Sequence, residues 1–380
     1  MPSLSSGVGN SASQPSSNDL ERCPLCSQAR FFKGREVITA LSSFRSGSAG
    51  GLDGLSPQHL KDLTSSGAGE SGEMLLRELT ALINLMLSGM VNESVIDVLY
   101  GANLCALRKR DGGIRPIAVG TTYRRMAAKI CCKFYGEIIS KKFQPLQLGY
   151  GSKGGCEAAV HALPTFLNSG KGEVVLKVDI KNAFNSVNRD TLLAEAKNEL
   201  PQIYSFLWQC YRHPSKLLYR DNLLEPAVGC QQGDPLGPVI FSLAIHPIIR
   251  QLNSKLNFWY LDDGTLGGDV DTVLNDYLFF LNKFNSIGLD LNISKCEIFL
   301  CDGTDRQQTL SKFNAIAPSI KIVDEISLRL LGSPIYEDSF QNFVNEKIQN
   351  FKNISNRLLQ INMHSAITLI RFCCFGPKLT

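Results

Sequence analysis

The stretch KLNFWYLDDGTLGG, residues 255–268, decides the fold, because strand-like segments on both sides meet at the adjacent pair Asp262 and Asp263. Aromatic residues such as those at 258–260 favour strands, so the stretch predicts a β-hairpin with both carboxylates at its turn. Adjacent carboxylates repel each other, and a carboxylate that follows a buried strand is costly unless it is paired or binds a metal. A bound cation would relieve both the repulsion and the cost of burial. For this pair without other motifs, however, a solvated turn is the better explanation.

A third carboxylate occupies a comparable position earlier in the chain. Asp179 follows EVVLKV, residues 173–178, a segment whose β-branched residues predict a buried strand. Three carboxylates at strand ends suit two Mg²⁺ ions, with Mn²⁺ as the alternative ion. Two such ions serve an in-line phosphoryl displacement, in which one activates a 3′-hydroxyl and the other holds a triphosphate and stabilises the leaving oxygen.

The order of the surrounding motifs strengthens this interpretation. They are DIKNAF (179–184), QGDPLGP (232–238), YLDD (260–263), GLDLNISKC (288–296) and LGSPI (331–335), with GIRPI (113–117) upstream. These blocks resemble the ordered motifs of reverse transcriptases, especially those of non-LTR retrotransposons and group II introns, over about residues 35–380. Each motif alone is weak, but five in the family's order are a specific match. Leu261 departs from the Ala that many non-LTR enzymes carry, which bears on the subfamily rather than on the chemistry.

The resemblance implies a role for each candidate site residue. It implies catalysis and metal binding for Asp179, Asp262 and Asp263, and nucleotide binding for Arg115, Lys109, Phe184, Gln232 and Lys295. Arg115 and Lys109 would supply positive charge to the triphosphate, which the planar guanidinium fork suits. Gln232 would contact the sugar or base, and Lys295 the leaving pyrophosphate, with a solvated lysine as its alternative. Phe184 would stack beneath the ribose and exclude a 2′-hydroxyl, the group that distinguishes RNA from DNA; a plain core aromatic is its alternative.

The fold class that the resemblance implies is α+β, a right-hand polymerase fold with an antiparallel palm sheet, fingers and a partial helical thumb. The expected divisions are a disordered segment at 1–34, fingers at 35–170, a palm with the catalytic Asp residues at 171–335, and the start of a truncated thumb at 336–380. Local signals predict three helix starts. Ser56 and Pro57 open a short helix, while Thr122 and Asp190 are candidate helix caps.

A basic block stands out from an otherwise slightly acidic chain. Residues 108–153 hold eleven Lys and Arg against two Asp and Glu, whereas the whole chain has a net charge of only +4. Within this block Arg125, Lys129 and Lys133 share one face of a predicted helix at a spacing of four. We expect this face to bind nucleic acid, with a solvated helix face as the equally weighted alternative.

Composition also indicates the compartment. The chain has no run of eighteen apolar residues and no secretory signal, so we expect no membrane partner and an intracellular protein of the nucleus or cytoplasm. The twelve Cys residues are scattered, which is typical of reduced core cysteines. Cys23 and Cys26 form a lone CxxC pair, and chance spacing explains it better than a zinc site.

Together these features predict template-directed DNA synthesis by an RNA-directed DNA polymerase of a retrotransposon-like element. Its expected partners are an RNA or DNA template with a primer, and dNTPs. An RNA-dependent RNA polymerase is the nearest alternative, because it shares the palm and the metals. A non-catalytic nucleic-acid-binding remnant of a mobile element is the alternative of another class.

Overall fold

The computed structural model describes residues 29–109 and 112–374. The CxxC pair, most of the predicted segment 1–34 and residues 110–111 lie outside these described residues. The helices are α1 (Gly34–Ser42), α2 (Pro57–Leu63), α3 (Gly69–Leu87), α4 (Glu93–Tyr100), α5 (Thr122–Phe143), α6 (Gly155–Asn168), α7 (Ala183–Ser186), α8 (Arg189–Glu199), α9 (Pro201–Tyr211), α10 (Gly237–Ile249), α11 (Val270–Ser286), α12 (Arg306–Ile316), α13 (Glu337–Leu358) and α14 (Met363–Leu369). The strands are β1 (Ala102–Arg108), β2 (Ile114–Gly120), β3 (Val174–Val178), β4 (Ile180–Lys181), β5 (Leu217–Tyr219), β6 (Asn222–Leu224), β7 (Leu256–Tyr260), β8 (Asp263–Gly268), β9 (Asp290–Leu291), β10 (Glu297–Leu300), β11 (Lys321–Val323), β12 (Arg329–Leu330) and β13 (Ser333–Pro334).

A five-stranded central sheet has the order β11-β10-β3-β8-β7, and its pairs are antiparallel except for the parallel pair β10–β11. The middle strand β3 packs against a hydrophobic core on each face, in agreement with the buried strand that its β-branched residues predict. Val174 and Leu176 belong to the main hydrophobic core, whereas Val175 belongs to a smaller core on the opposite face. The sheet therefore holds the ends of β3 and β8 in a fixed relation at one edge.

A second sheet has the order β2-β1-β5-β6 and joins distant parts of the sequence. Strands β1 and β2 form an antiparallel hairpin, with Ala102 opposite Gly120. Strand β5 pairs with β1 in parallel, Ala102 opposite Leu217. The predicted fingers range, 35–170, thus shares a sheet with a segment from the predicted palm range, 171–335.

The helix caps show where local prediction succeeds and where it is wrong. The Ser56 side chain caps α2 by accepting from the backbone N–H of the third helical residue, as predicted. Thr121, not Thr122, caps α5, because the Thr122 hydroxyl instead donates to the Leu55 carbonyl. Asn188, not Asp190, caps α8; its side chain accepts from the backbone N–H of Asp190 at 2.7 Å, which leaves Asp190 inside the first turn.

Candidate active site

The hairpin of β7 and β8 presents Asp262 and Asp263 at its turn, as the sequence predicts. Leu261 has φ +57°, a left-handed conformation that turns the chain sharply before the two carboxylates. The fully buried side chain of Gln147 holds this residue by its main chain: the Leu261 N–H donates to Gln147 Oε1 at 2.7 Å, and Gln147 Nε2 donates to the Leu261 carbonyl at 3.1 Å. No motif in the sequence singles out Gln147 for this contact.

The end of β3 brings Asp179 to the same edge of the sheet. Val178 pairs with Gly264, so Asp179, the next residue, lies beside the start of β8. The backbone N–H of Asn292 donates to the Asp179 carbonyl at 2.9 Å, and this bond ties the strand end to the GLDLNISKC block. A hydrogen bond from the Asn292 side chain lowers the pKa of the Asp179 carboxyl. The motif GLDLNISKC includes Asn292, but the sequence alone gives this residue no role.

A cavity of about 900 Å³ joins these carboxylates to most of the predicted nucleotide-binding residues; we call it the carboxylate cavity. The predicted site residues in its lining are Asp179, Asp262, Asp263, Arg115, Lys109, Gln232 and Lys295. Both sheets contribute to the lining, because Arg115 belongs to β2, Asp263 begins β8, and Asp179 and Asp262 directly adjoin β3 and β8. The cavity therefore has one acidic wall and one basic wall.

The electrostatics of the acidic wall favour a cation. Burial raises the pKa of Asp179, and the positive charges of Lys295 and Lys109 oppose this shift. Burial also raises the pKa of Asp262, to which the charge of Asp179 adds. Partial burial of its carboxyl, followed by the charges of Asp262 and Asp179, raises the pKa of Asp263 to about 6. A bound cation would reverse these shifts, because it stabilises the charged form of each carboxyl.

Within residues 29–109 and 112–374, no cluster of three or more His, Cys, Asp or Glu side chains has an arrangement that could hold a metal ion by itself. The donor set nevertheless suits a hard cation, since it consists of carboxylate oxygens at strand ends. Mg²⁺ is commonly held by one or two carboxylates together with substrate phosphates and water rather than by an all-protein cage. The carboxylate cavity has this open form.

Gln232 lies in a loop, residues 229–237, that packs against β2; we call it the Gln232 loop. The backbone N–H of Ala118 donates to the Gln232 carbonyl at 2.7 Å. Gly233 has φ +117°, and a Cβ built there would lie 2.5 Å from the Ala118 carbonyl oxygen, so this close approach requires glycine. Within the described chain the buried Gln232 Oε1 atom has no hydrogen-bond partner, which leaves it available to a ligand.

Two buried arginines anchor the Gln232 loop. Arg124 donates from Nη2 at 2.8 Å and from Nε at 3.2 Å to Asp234 Oδ2, and Tyr211 donates its hydroxyl to the same oxygen at 3.1 Å. Arg189 donates to the Gly229 carbonyl at 2.9 Å, at the other end of the loop. Sequence reasoning missed this network, although an Asp before an apolar helix is a signal for a buried partner.

The structure does not bring every predicted site residue into the cavity. Phe184 stacks on Phe241 with ring centroids 4.7 Å apart, and its chain neighbours, rather than its own ring, line the cavity. Arg125 and Lys129 lie over the ring of Phe44 at 5.3 Å and 4.8 Å from its centroid. Lys133 is exposed on the same helix. The basic face of α5 is therefore separate from the carboxylate cavity and partly engaged with the N-terminal helices.

Comparison with known proteins identifies the family. Residues 107–335, more than half of the chain, match the family described as reverse transcriptase (RNA-dependent DNA polymerase). The chain belongs to the reverse transcriptase family. Its right-hand polymerase fold, α+β with a largely antiparallel central sheet, agrees with the fold class predicted from the sequence.

Two curated relatives are named as retrotransposable-element proteins and a third as an intron protein. The chain is similar to the retrotransposable element SLACS 132 kDa protein of Trypanosoma brucei gambiense, with 28% identity over 68% of this chain and 22% of that protein. It is similar to the Pol polyprotein from the type-1 retrotransposable element R2 of Nasonia vitripennis, with 30% identity over 23% of this chain and 9% of that protein. The putative COX1/OXI3 intron 1 protein of Saccharomyces cerevisiae is 20% identical over 40% of this chain and 18% of its own length. The prediction of a non-LTR retrotransposon or intron type is confirmed, and the chain spans less than a quarter of each relative.

Among solved structures, apo telomerase from Candida tropicalis truncated from its C-terminal domain covers 55% of this chain and 51% of its own, with a TM-score of 0.41 and 13% identity. Separately, no helix in the described part of the chain is long and apolar enough to cross a membrane.

Proposed function

We propose that this chain catalyses RNA-directed DNA synthesis at the carboxylate cavity. In this reaction the 3′-oxygen of a primer forms a bond to the α-phosphorus of a dNTP, and pyrophosphate leaves as its bond to that phosphorus breaks. The observation that carries the proposal is that one cavity combines Asp179, Asp262 and Asp263 with the basic residues Arg115 and Lys109. A phosphoryl transfer needs both walls, since the cations must meet a triphosphate while the carboxylates hold metal.

Divalent metal ions are general in the reverse transcriptase family. We propose that Asp179, Asp262 and Asp263 hold two Mg²⁺ ions, which Mn²⁺ can replace. When bound, such ions neutralise phosphate charge and lower the pKa of the attacking hydroxyl. The raised pKa values of the three carboxyls support this assignment, because buried carboxylates, two of which also lie near like charges, favour a cation.

The basic wall would bind the incoming nucleotide. Arg115 suits a phosphate through its planar fork of donors, and Lys109 adds a point charge. The unpartnered Oε1 of Gln232 supports a contact between this side chain and the sugar or base. Lys295 would meet the leaving pyrophosphate, and the effect of its charge on Asp179 supports this role.

Two further assignments belong to this proposal. Phe184 acts as the gate against a 2′-hydroxyl, and its support is that both of its chain neighbours line the cavity. The divisions into fingers at 35–170, palm at 171–335 and thumb from 336 follow the family resemblance, with residues 217–224 added to the fingers sheet by their pairing with β1.

Primer extension on poly(rA)–oligo(dT) tests the proposal, with dTTP and UTP compared as substrates in the presence of Mg²⁺. We expect extension with dTTP, its loss in Asp262→Asn, and its retention in the control Asp221→Asn, which changes an exposed Asp at the tip of the β5–β6 hairpin. Equal use of UTP by the wild type would support an RNA polymerase instead. Near-normal extension by Asp262→Asn would refute the metal assignment, and binding without any extension would indicate a non-catalytic remnant.

A further inference from the structure

A row of side chains crosses the central sheet one step behind the carboxylates. Strand pairing places its members directly opposite one another in the order Lys321, Glu297, Lys177, Thr265 and Phe258, from β11 to β7. We call this set the lysine row. Alternate residues of a strand point to the same face, so Lys177 shares a face with Asp179, and Thr265 shares it with Asp263. The lysine row and the catalytic carboxylates therefore lie on one surface.

The ion pairs in the row leave positive charge in excess. Lys177 Nζ donates to Glu297 Oε2 at 2.6 Å, and Lys321 Nζ donates to Glu297 Oε1 at 3.1 Å. One carboxylate thus holds two ammonium groups. Although burial opposes it, the hydrogen bonds and charges of the two lysines lower the pKa of Glu297, so this side chain stays ionised. The net charge of the three side chains is one positive unit, fixed at a defined place on the sheet.

The row also lines a cavity of its own, of about 770 Å³, which we call the sheet-floor cavity. Asp179 and Asp263 line this cavity as well as the carboxylate cavity, so the two spaces meet at the catalytic edge. Arg329 from β12 and Lys295 add to the cationic lining, which amounts to four cationic side chains against three carboxylates, although Arg329 is also paired with Glu346 at 3.0 Å. Two of those three carboxylates are the proposed metal ligands, so metal binding would leave the floor more positive still.

We propose that the lysine row binds one backbone phosphate of the nucleic-acid strand whose 3′ end reaches the catalytic carboxylates. Lysine binds phosphate as a point charge, and a single fixed excess charge matches a single phosphodiester. Two residues along a strand span about 6.8 Å, and a duplex rises by about 3.4 Å per nucleotide of one strand. For a primer strand that runs along β3, the phosphate bound by the row therefore lies about two nucleotides upstream of the primer terminus. Glu297 holds both lysines in position and also weakens their attraction for the phosphate.

This inference rests on the proposed polymerase function for the identity of the strand, but its test needs no catalysis. A labelled DNA primer annealed to an RNA template is titrated with protein at several KCl concentrations, without dNTP, and binding is followed by fluorescence anisotropy. We expect Lys177→Ala and Lys321→Ala to weaken binding, and Lys177→Ala to reduce the slope of log K against log salt by about 0.9, the value for one phosphate contact. Lys197→Ala, at an exposed position on α8, is the matched control and should leave both quantities unchanged.

The variant Glu297→Gln is the decisive test, because the direction of its effect on binding affinity distinguishes the proposal from a purely structural role of Glu297. It keeps the side-chain shape and removes the competing negative charge, so we expect binding to tighten by about 3-fold or more at low salt. If Glu297 served only to stabilise the sheet, the same variant would weaken binding or leave it unchanged, and either result overturns the proposal. Thermal unfolding of each variant shows whether Lys177→Ala has lost the fold; the Glu297→Gln result does not depend on that variant.

Neutral linkages locate the phosphate. Primers that carry one methylphosphonate, at the first, second, third or fourth linkage from the 3′ end, are compared on wild type and Lys177→Ala. We expect the effect of Lys177→Ala to vanish at one position near the second linkage and to persist at the others. An effect that persists at every primer position, or vanishes only with template substitutions, overturns the assignment. If the effect of Lys177→Ala depends on one primer linkage but the protein does not extend primers, only the proposed function is rejected. If the protein extends primers but the effect depends on no linkage, only the role of the lysine row is rejected.

Discussion

Removal of one partner from the Arg124–Asp234 pair is expected to destabilise the fold severely. The side chains of Arg124 and Asp234 are only 1% and 2% exposed, and Asp234 Oδ2 accepts from two nitrogens of Arg124 and from the Tyr211 hydroxyl. The change Asp234→Ala removes the acceptor of all three bonds and leaves a guanidinium charge with no carboxylate in a dry environment. Of its bonds in this network, Arg124 keeps only the one that it donates to the Tyr100 carbonyl.

The magnitude follows from this geometry. Loss of one partner from a buried, hydrogen-bonded ion pair costs about 3–5 kcal/mol, because the remaining charge is uncompensated. Replacement of both partners by apolar residues of similar size is often close to neutral, since no charge then stays buried. We therefore expect Asp234→Ala to lose about 3–5 kcal/mol of unfolding free energy, and the double variant Arg124→Met with Asp234→Leu to be more stable than Asp234→Ala.

Urea unfolding followed by tryptophan fluorescence measures this difference, since Trp259 is fully buried. The matched control is Glu137→Ala, which breaks the exposed pair between Glu137 and Lys141 on α5 and should not move the midpoint measurably. If the Asp234→Ala midpoint moves as little as that of the control, the network does not anchor the Gln232 loop as argued. A double variant less stable than Asp234→Ala would contradict the account of an uncompensated charge.

Three further predictions concern metal, nucleic acid and sugar. The pKa of Asp263 is raised to about 6, so below this pH protons compete with a metal for its carboxyl. Mg²⁺ should therefore raise the melting temperature more at pH 7.5 than at pH 5.5. Equal shifts at the two pH values in a thermal-shift assay would contradict this prediction. Replacement of Arg125, Lys129 and Lys133 by Ala should flatten the salt dependence of primer–template binding by about 0.9 per lost phosphate contact, and an unchanged slope would indicate a solvated face. Phe184→Ala should raise rNTP use relative to dNTP, measured as the ratio of kcat/KM, by about 1–3 kcal/mol of lost discrimination. An unchanged ratio would make Phe184 a core residue.

Sequence reasoning predicted best where chemistry and local structure point the same way. An apolar strand that ends in Asp is unusual enough to be recognised, and both such strands, β3 and β7, lie where the patterns predict them. Their antiparallel arrangement around β8 brings Asp179 to Asp262 and Asp263, a juxtaposition that the order of the motifs indicates. The seven predicted site residues that line the carboxylate cavity all belong to these motifs or lie close to them in the sequence.

Predictions were weaker where distant contacts decide the outcome. The parallel pair β1–β5 joins residues more than a hundred positions apart, and its short strands carry no local signal. Arg124 and Arg125 illustrate the same limit, because adjacent helical residues point about 100° apart. The sequence places both in a basic block, but only the fold shows that Arg124 is buried against Asp234 while Arg125 lies over Phe44.

The contact between Gln147 and Leu261 holds the shape of the YLDD turn through main-chain atoms. Gln147 recognises only main-chain atoms of Leu261, so the identity of the side chain at this position is not part of the recognition. Gly149 packs closely against the same residue, and only glycine fits there, because a Cβ at this position would lie 2.6 Å from the Leu261 nitrogen. The conformation of the turn is thus stored in residues more than a hundred positions upstream. Gln147 therefore places no demand on the side chain at residue 261, although the left-handed φ of this residue does, and the turn depends on a glutamine and a glycine outside the YLDD motif.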